Sequence, residues 1–156
     1  MLPLKIKFKH MKTLIFTGII AIVVFGIYSF KKPKAEVTLG NKGIEFFDGN
    51  FHQALLKSQE LNKPIFLDVY ATWCGPCKQL KKTTFKDEAV GNYFNANFIN
   101  IAIDGETQEG QELIRKYNIR SYPSLLILDS KGEVKTRTTG FQKPYILINF
   151  GKRIVP

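Results

Sequence analysis

The chain has 156 residues, 44% of them hydrophobic, with 13 phenylalanines and a formal net charge of +10, which suits one domain with a real core plus an accessory segment. The excess charge does not describe a nucleic-acid surface: residues 1–34 hold seven lysines and no acid, leaving 16 basic against 13 acidic residues for all that follows. It describes a leader.

Met1 to Lys12 is a basic segment carrying Lys5, Lys7, Lys9 and Lys12. Residues 13–30, TLIFTGIIAIVVFGIYSF, are an uncharged run of 18 that would reach about 27 Å as a helix, close to the hydrocarbon thickness of a bilayer. A soluble core helix would show a polar face, so the run is expected to be a transmembrane signal anchor. Ile27-Tyr28-Ser29 and Pro33-Lys34-Ala35 both match a small-residue cleavage site poorly, which favours an uncleaved anchor over a removable signal peptide. Four lysines precede the run and Lys31, Lys32 and Lys34 follow it, so the positive-inside difference is one charge, and a start at Met11 would reverse it. Residues 31–43 read as a tether, and 44–156 as the folded domain.

Ile44 to Phe47 is expected as a first strand. Asp48 or Asn50 can cap a helix running to about Leu61, with Phe51, Ala54, Leu55 and Ser58 inward and His52 on the solvated side. Pro64 to Tyr70 is mostly apolar, as a central strand covered on both faces should be. Its exception is Asp68, a carboxylate that is costly there unless paired or protonated and whose pKa desolvation should raise.

The strand runs into Trp73-Cys74-Gly75-Pro76-Cys77 and then a helix that opens with Lys78-Gln79-Leu80. Cys74 and Cys77 are the only cysteines, and two thiols are what a reversible dithiol needs. First-turn N–H groups lack intrahelical partners and the dipole is positive there, which favours a Cys74 thiolate and raises its nucleophilic fraction. Pro76 suits an early helical position. Cys77, one turn further in, is expected to be more buried and to act second. A stabilising bridge explains the pair poorly, because so short a loop hardly restricts the unfolded chain. Zinc would need both histidines, His10 and His52, to complete four ligands.

Thr83-Thr84 should end or bend this helix. Asp87 then caps another through about Asn95, with Ala89, Val90, Tyr93 and Phe94 at helical spacing. Phe98 to Ile103 is the next strand and Thr107 to Tyr117 a helix with Leu113, Ile114 and Tyr117 on one face. Ser124 to Leu128 and Glu133 to Thr138 form a hairpin around Asp129-Ser130-Lys131-Gly132. Gly140 suits a close-approach turn, and Pro144 to Arg153 a last helix.

The strand with WCGPCK, and the later Ser121-Tyr122-Pro123-Ser124 before an apolar run, resemble the thioredoxin family. The longer stretch KPIFLDVYATWCGPCKQLKKTTFKDEAVGNYF is similar to the thioredoxin-like output domains of membrane thiol-disulfide interchange proteins. The likeness covers roughly residues 44–150. It implies a thioredoxin-like α/β fold, a mixed central sheet flanked by helices, preceded here by one N-terminal transmembrane helix. It further implies a protein-disulfide reductase in which Cys74 attacks a substrate disulfide and Cys77 releases the product.

By the same resemblance Asp68, six residues before Cys74, takes and returns the proton of Cys77; the competing reading is a hydrogen-bonded structural aspartate. Trp73 would partly cover the sulfurs rather than fill the core. Gly75, Pro76, Tyr122 and Pro123 would complete the substrate-binding surface, with a cis Tyr122–Pro123 bond facing Cys74; the bland reading of Pro123 is a strand-edge residue. The family often has a lysine near the buried carboxylate on the next strand, where this chain has Asn100. Gly75-Pro76 is the pair of reducing members, so reduction is favoured over thiol oxidation or isomerisation. No metal or organic cofactor is implied, since the cysteine pair carries the electrons. Expected partners are disulfide-bearing substrate proteins, an upstream thiol donor, and the membrane through residues 13–30, with the domain on the extracytoplasmic (periplasmic) side, or secreted if the leader is cleaved. The reading from another class is a tethered, non-catalytic peptide-binding module with the dithiol incidental.

Overall fold

The computed structural model describes residues 43–156. The anchor expected at 13–30 lies outside the described residues, among which no helix is long and apolar enough to cross a membrane.

Helix α1, Phe51–Leu61, begins at Asn50, whose side chain accepts from the Gln53 N–H while Gln53 reaches back to the Asn50 N–H. That reciprocal pair satisfies two first-turn donors and selects Asn50 over Asp48 as the cap. Phe51, Ala54 and Ser58 are buried along one face, and His52 is exposed. Asn62, left-handed at φ 50°, closes the helix and delivers the chain to β1, Ile65–Tyr70.

Helix α2, Gly75–Lys82, starts three residues earlier than the expected opening at Lys78, because Cys74 itself is the N-cap. A short 3-10 turn at Thr84–Lys86 follows the break at Thr83. Asp87 accepts from the Val90 N–H and starts α3, Glu88–Asn97. Ala89 is exposed there, and Gly91 takes an inward position instead. Any Cβ on Gly91 would run into the backbone of Gly43, so the glycine is set by close approach. Strand β2 is Ile99–Asp104, and Thr107 caps α4, Gln108–Tyr117. Strands β3, Ser124–Leu128, and β4, Val134–Thr139, form the expected hairpin, and α5, Pro144–Lys152, ends the fold.

The sheet has the order β2-β1-β3-β4, with β1 parallel to β2 and antiparallel to β3, so it is mixed. The strand expected at 44–47 does not form. That segment is a strap instead: Ile44 N–H donates to Phe85 O, Phe47 N–H to Asn100 O, and the Asn95 side chain holds both Glu45 N–H and Gly43 O. Hydrogen bonds to three different elements hold it in place without a ladder.

Alternation along β1 divides the core in two. Ile65, Leu67 and Val69 pack with Phe51, Leu113 and Tyr117 against α1 and α4. Phe66 points the other way, among Leu80, Phe85, Phe94 and Phe98 under α2, α3 and α5, with its ring 4.6 Å from that of Phe94. Asp68 shares the Phe66 side, which is the side of the motif helix. Phe66 has no exposed surface. We therefore expect Phe66→Ala to lower the unfolding free energy in urea by about 3–5 kcal/mol, whereas Leu56→Ala, at a 52% exposed position, should stay within about 0.5 kcal/mol.

Candidate active site

The site is assembled where β1 hands over to α2. Cys74 has an extended backbone, φ −70° and ψ 116°, and its Sγ accepts from the Cys77 N–H at 3.2 Å. A first-turn amide thus points at the sulfur, the arrangement that stabilises negative charge there. The two cysteines are joined, with an S–S distance of 2.06 Å. Pro76 lies in the first turn, where no N–H is needed. Gly75 is exposed, and a Cβ there would meet nothing within 4 Å.

The expected order of burial is not found. Cys74 is 4% exposed and Cys77 7%, because both pack on Ala71 and under the rings of Tyr70 and Tyr122. Trp73, by contrast, is 67% exposed, which removes the core-aromatic reading. Its indole stands edge-on to Tyr122, ring centroids 5.8 Å apart.

Tyr122 is joined to Pro123 by a cis bond, as the resemblance implies. Its hydroxyl donates to Glu106 Oε1 at 3.1 Å; partial burial first, and that carboxylate second, raise its phenol above the usual range. The ring lies so close over Gly105 that any Cβ there would collide with it. Gly140, at φ 77°, makes the expected turn and donates to Pro123 O, but open space surrounds it, so its left-handed backbone rather than crowding calls for glycine.

Asp68 is 5% exposed, paired in register with Ala102 on β2 and Leu125 on β3. Its Oδ1 has no hydrogen-bond partner among the described residues. Burial pushes its carboxyl up to about 7, against a smaller opposing pull from Lys81. The carboxyl opens on a cavity of about 390 Å³ whose lining includes Cys77, Tyr70, Phe46 and Lys81. Asp68 and Cys77 are therefore walls of one space. Asn100, where the family often has a lysine, donates instead to Glu45 O at 3.2 Å and Asn95 Oδ1 at 3.1 Å, holding the strap.

Lys81 was not singled out from the sequence. Its signal was available: it stands four residues after Cys77 on a helix, so both occupy one face. Phe46 was also missed, since a strand reading gives it no part in a cavity. No group of three or more His, Cys, Asp or Glu residues able to hold a metal occurs among the described residues.

The sequence model of the family described as "Thioredoxin-like domain" matches residues 51–154. The thiol:disulfide interchange protein DsbD of Yersinia pestis is 37% identical over 92 residues, which cover 57% of this chain and 15% of that protein. This chain thus matches only a small part of that curated relative. Among solved structures, a candidate disulphide-isomerase from Bacteroides thetaiotaomicron is 44% identical with a TM-score of 0.59, covering 68% of this chain and 88% of the other. The DsbD C-terminal domain of Neisseria meningitidis, oxidised, is 26% identical with a TM-score of 0.57, covering 65% and 90%.

Burial pushes the carboxyl of Asp68 up to about 7 in the folded protein, from the ordinary aspartate value of 3.8. Between those values the native state binds more protons than the unfolded state, so stability falls as pH rises. Asp68→Asn should consequently be more stable than the parent by about 4 kcal/mol at pH 9 and level with it at pH 3. Urea unfolding at the two pH values checks this; a variant weaker than the parent at pH 9 contradicts the buried, unpartnered carboxylate.

Proposed function

The chain belongs to the thioredoxin-like domain family, and from that premise we propose that it is a thiol-disulfide oxidoreductase that reduces protein disulfides outside the cytoplasm through Cys74 and Cys77. The observation that carries this reading is the meeting of three groups at one helix start: a sulfur receiving a first-turn amide, a second sulfur bonded to it, and a buried carboxyl sharing a cavity with the second.

In the reduced protein the Cys74 thiolate attacks one sulfur of a substrate disulfide. The substrate S–S bond breaks, a Cys74–substrate disulfide forms, and the first substrate sulfur leaves as a thiolate that solvent protonates. Ionised Asp68 then takes the proton of Cys77 through the cavity. The Cys77 thiolate attacks Cys74, the mixed disulfide breaks, and the substrate departs with two electrons as Cys74–Cys77 closes. A thiol donor restores the dithiol by the reverse exchange. A group titrating near neutrality suits this duty, because it can both accept and return the proton.

Trp73, Tyr122 and Pro123 form the substrate-binding side of this reading. A hollow of about 350 Å³ lies there, lined by Trp73, Tyr122, Ile114, Ile119 and Arg120, and the open space at Gly75 leaves room for an approaching chain. The lysine-flanked run at residues 13–30 supports a membrane anchor with the domain on the extracytoplasmic side, or a secreted domain if the run is cleaved. Gly75-Pro76 supports reduction. The likeness to a candidate disulphide-isomerase favours a second reading, in which the substrate's own thiol resolves the mixed disulfide and bonds are rearranged.

Cys74→Ser should reduce disulfides no faster than the donor alone, while Cys77→Ser should accumulate covalent substrate complexes on non-reducing gels. Turnover surviving in Cys74→Ser would overturn the mechanism. Acid-quenched alkylation in growing cells separates the two directions: a mostly reduced pair is expected, and a mostly oxidised one transfers the conclusion to oxidation or isomerisation.

A further inference from the structure

We propose that Lys81 is a positioning residue that favours the ionised form of the Asp68 carboxyl from another wall of the same cavity, and so helps to set the pH at which Cys77 gives up its proton. The inference rests on the reading of Asp68 as the proton acceptor.

The cavity beside Asp68 is bounded by Phe46 of the strap, Asp68 and Tyr70 of β1, Cys77, Lys78 and Lys81 of α2, Phe85 of the 3-10 turn, and Ala102 of β2. The positions that β2 and β3 pair with Asp68 are uncharged, Ala102 and Leu125. Asn100 is committed to Glu45 O and Asn95. Of the titratable walls, Tyr70 is neutral at physiological pH and is held further up by burial and by Asp104 and Asp68. Lys78 stands beside Cys77 at one side. Lys81, one turn beyond Cys77, is the cation whose charge opposes the burial of Asp68.

No ion pair within 4.0 Å joins Lys81 to Asp68; among the described residues such pairs are Lys57–Glu60 and Lys135–Asp129. The lysine therefore acts at a distance, through a space large enough for solvent, and leaves the carboxylate free to accept a proton. A direct pair would hold the charge too firmly for a group that must be protonated in every turnover. Lys81 also lies in the last turn of α2 with Lys82, where any cation complements the helix dipole. Lys82 has that position without lining the cavity, which makes it the control.

The test uses the full chain in mild detergent. The side-chain carboxyl carbon of Asp68 is titrated by NMR in the parent, Lys81→Met, Lys81→Arg and Lys82→Met. Release of substrate from a preformed Cys74 mixed disulfide is timed against pH in the same set. Lys81→Met should move the Asp68 titration to higher pH and slow release about threefold at pH 6, with the gap closing at high pH. Lys81→Arg should restore both, and Lys82→Met should match the parent. An unchanged Asp68 titration in Lys81→Met overturns the proposal. If Asp68→Asn releases substrate at the parental rate and pH dependence, the proton-acceptor reading falls instead, while the carbon titration still reports on Lys81.

Discussion

A carboxyl group held in the middle of a strand covered on both faces is the constraint on which the site depends. Asp68 sits between Ala102 and Leu125 in register, with Phe66 two residues before it on the same side. Neither neighbouring strand offers it a side-chain donor, and its Oδ1 finds none elsewhere among the described residues. Strand alternation points it toward the helix that begins where β1 ends. Because Cys74 caps that helix, Cys77 is carried one turn into it, to a wall of the cavity that the carboxyl also lines. The sulfur chemistry and the buried charge are thus brought together by a single strand-to-helix turn, without help from a distant loop.

The two faces of the sheet divide the work. On the α1 and α4 side the fully buried residues are aliphatic apart from Phe51 and Tyr117, and they give the sheet a close-packed backing. On the other side aromatic rings crowd together, with Phe46 to Phe85 at 5.1 Å and Phe66 to Phe85 at 6.1 Å. Those rings do more than fill volume. Phe46 and Phe85 wall the space next to Asp68, and their lack of polar atoms helps to keep its carboxyl raised. The strap matters for the same reason, since Asn95 and Asn100 fasten the segment that carries Phe46.

Much of this was legible from residue order. Periodicity and caps placed the helices to within a few residues, and Asn50, Asp87 and Thr107 act as helix caps. The hairpin at Asp129 followed from its turn residues. What failed did so for identifiable reasons. Ile44 to Phe47 has the composition of a strand, but its partners lie in three separate elements, and strand propensity reports none of that. Ala89 fits the apolar period of α3, yet the helix is turned so that Gly91 meets Gly43. The burial of Cys74 depends on Tyr122, which is 48 residues later and comes near only through the sheet. A lysine in a last helical turn has an ordinary explanation, and the spacing of Lys81 from Cys77 gains its meaning only from the cavity that both share with Asp68.

The contest between burial and Lys81 also explains why the carboxyl rests near neutrality. Full desolvation of a carboxylate strongly raises its proton affinity, while a cation close by lowers it. Here the cation is solvent-exposed and beyond ion-pair distance, so water and salt weaken its pull. Burial wins, but not outright, and the outcome is about 7. A lysine on the strand beside Asp68 would sit inside the low-dielectric region and act far more strongly. With Asn100 at that place the charge comes from the helix, and the balance is struck in a cavity open enough to pass a proton. What the chain gives up in electrostatic strength at Asn100 it uses to anchor Phe46, an apolar wall of the cavity that the same carboxyl lines.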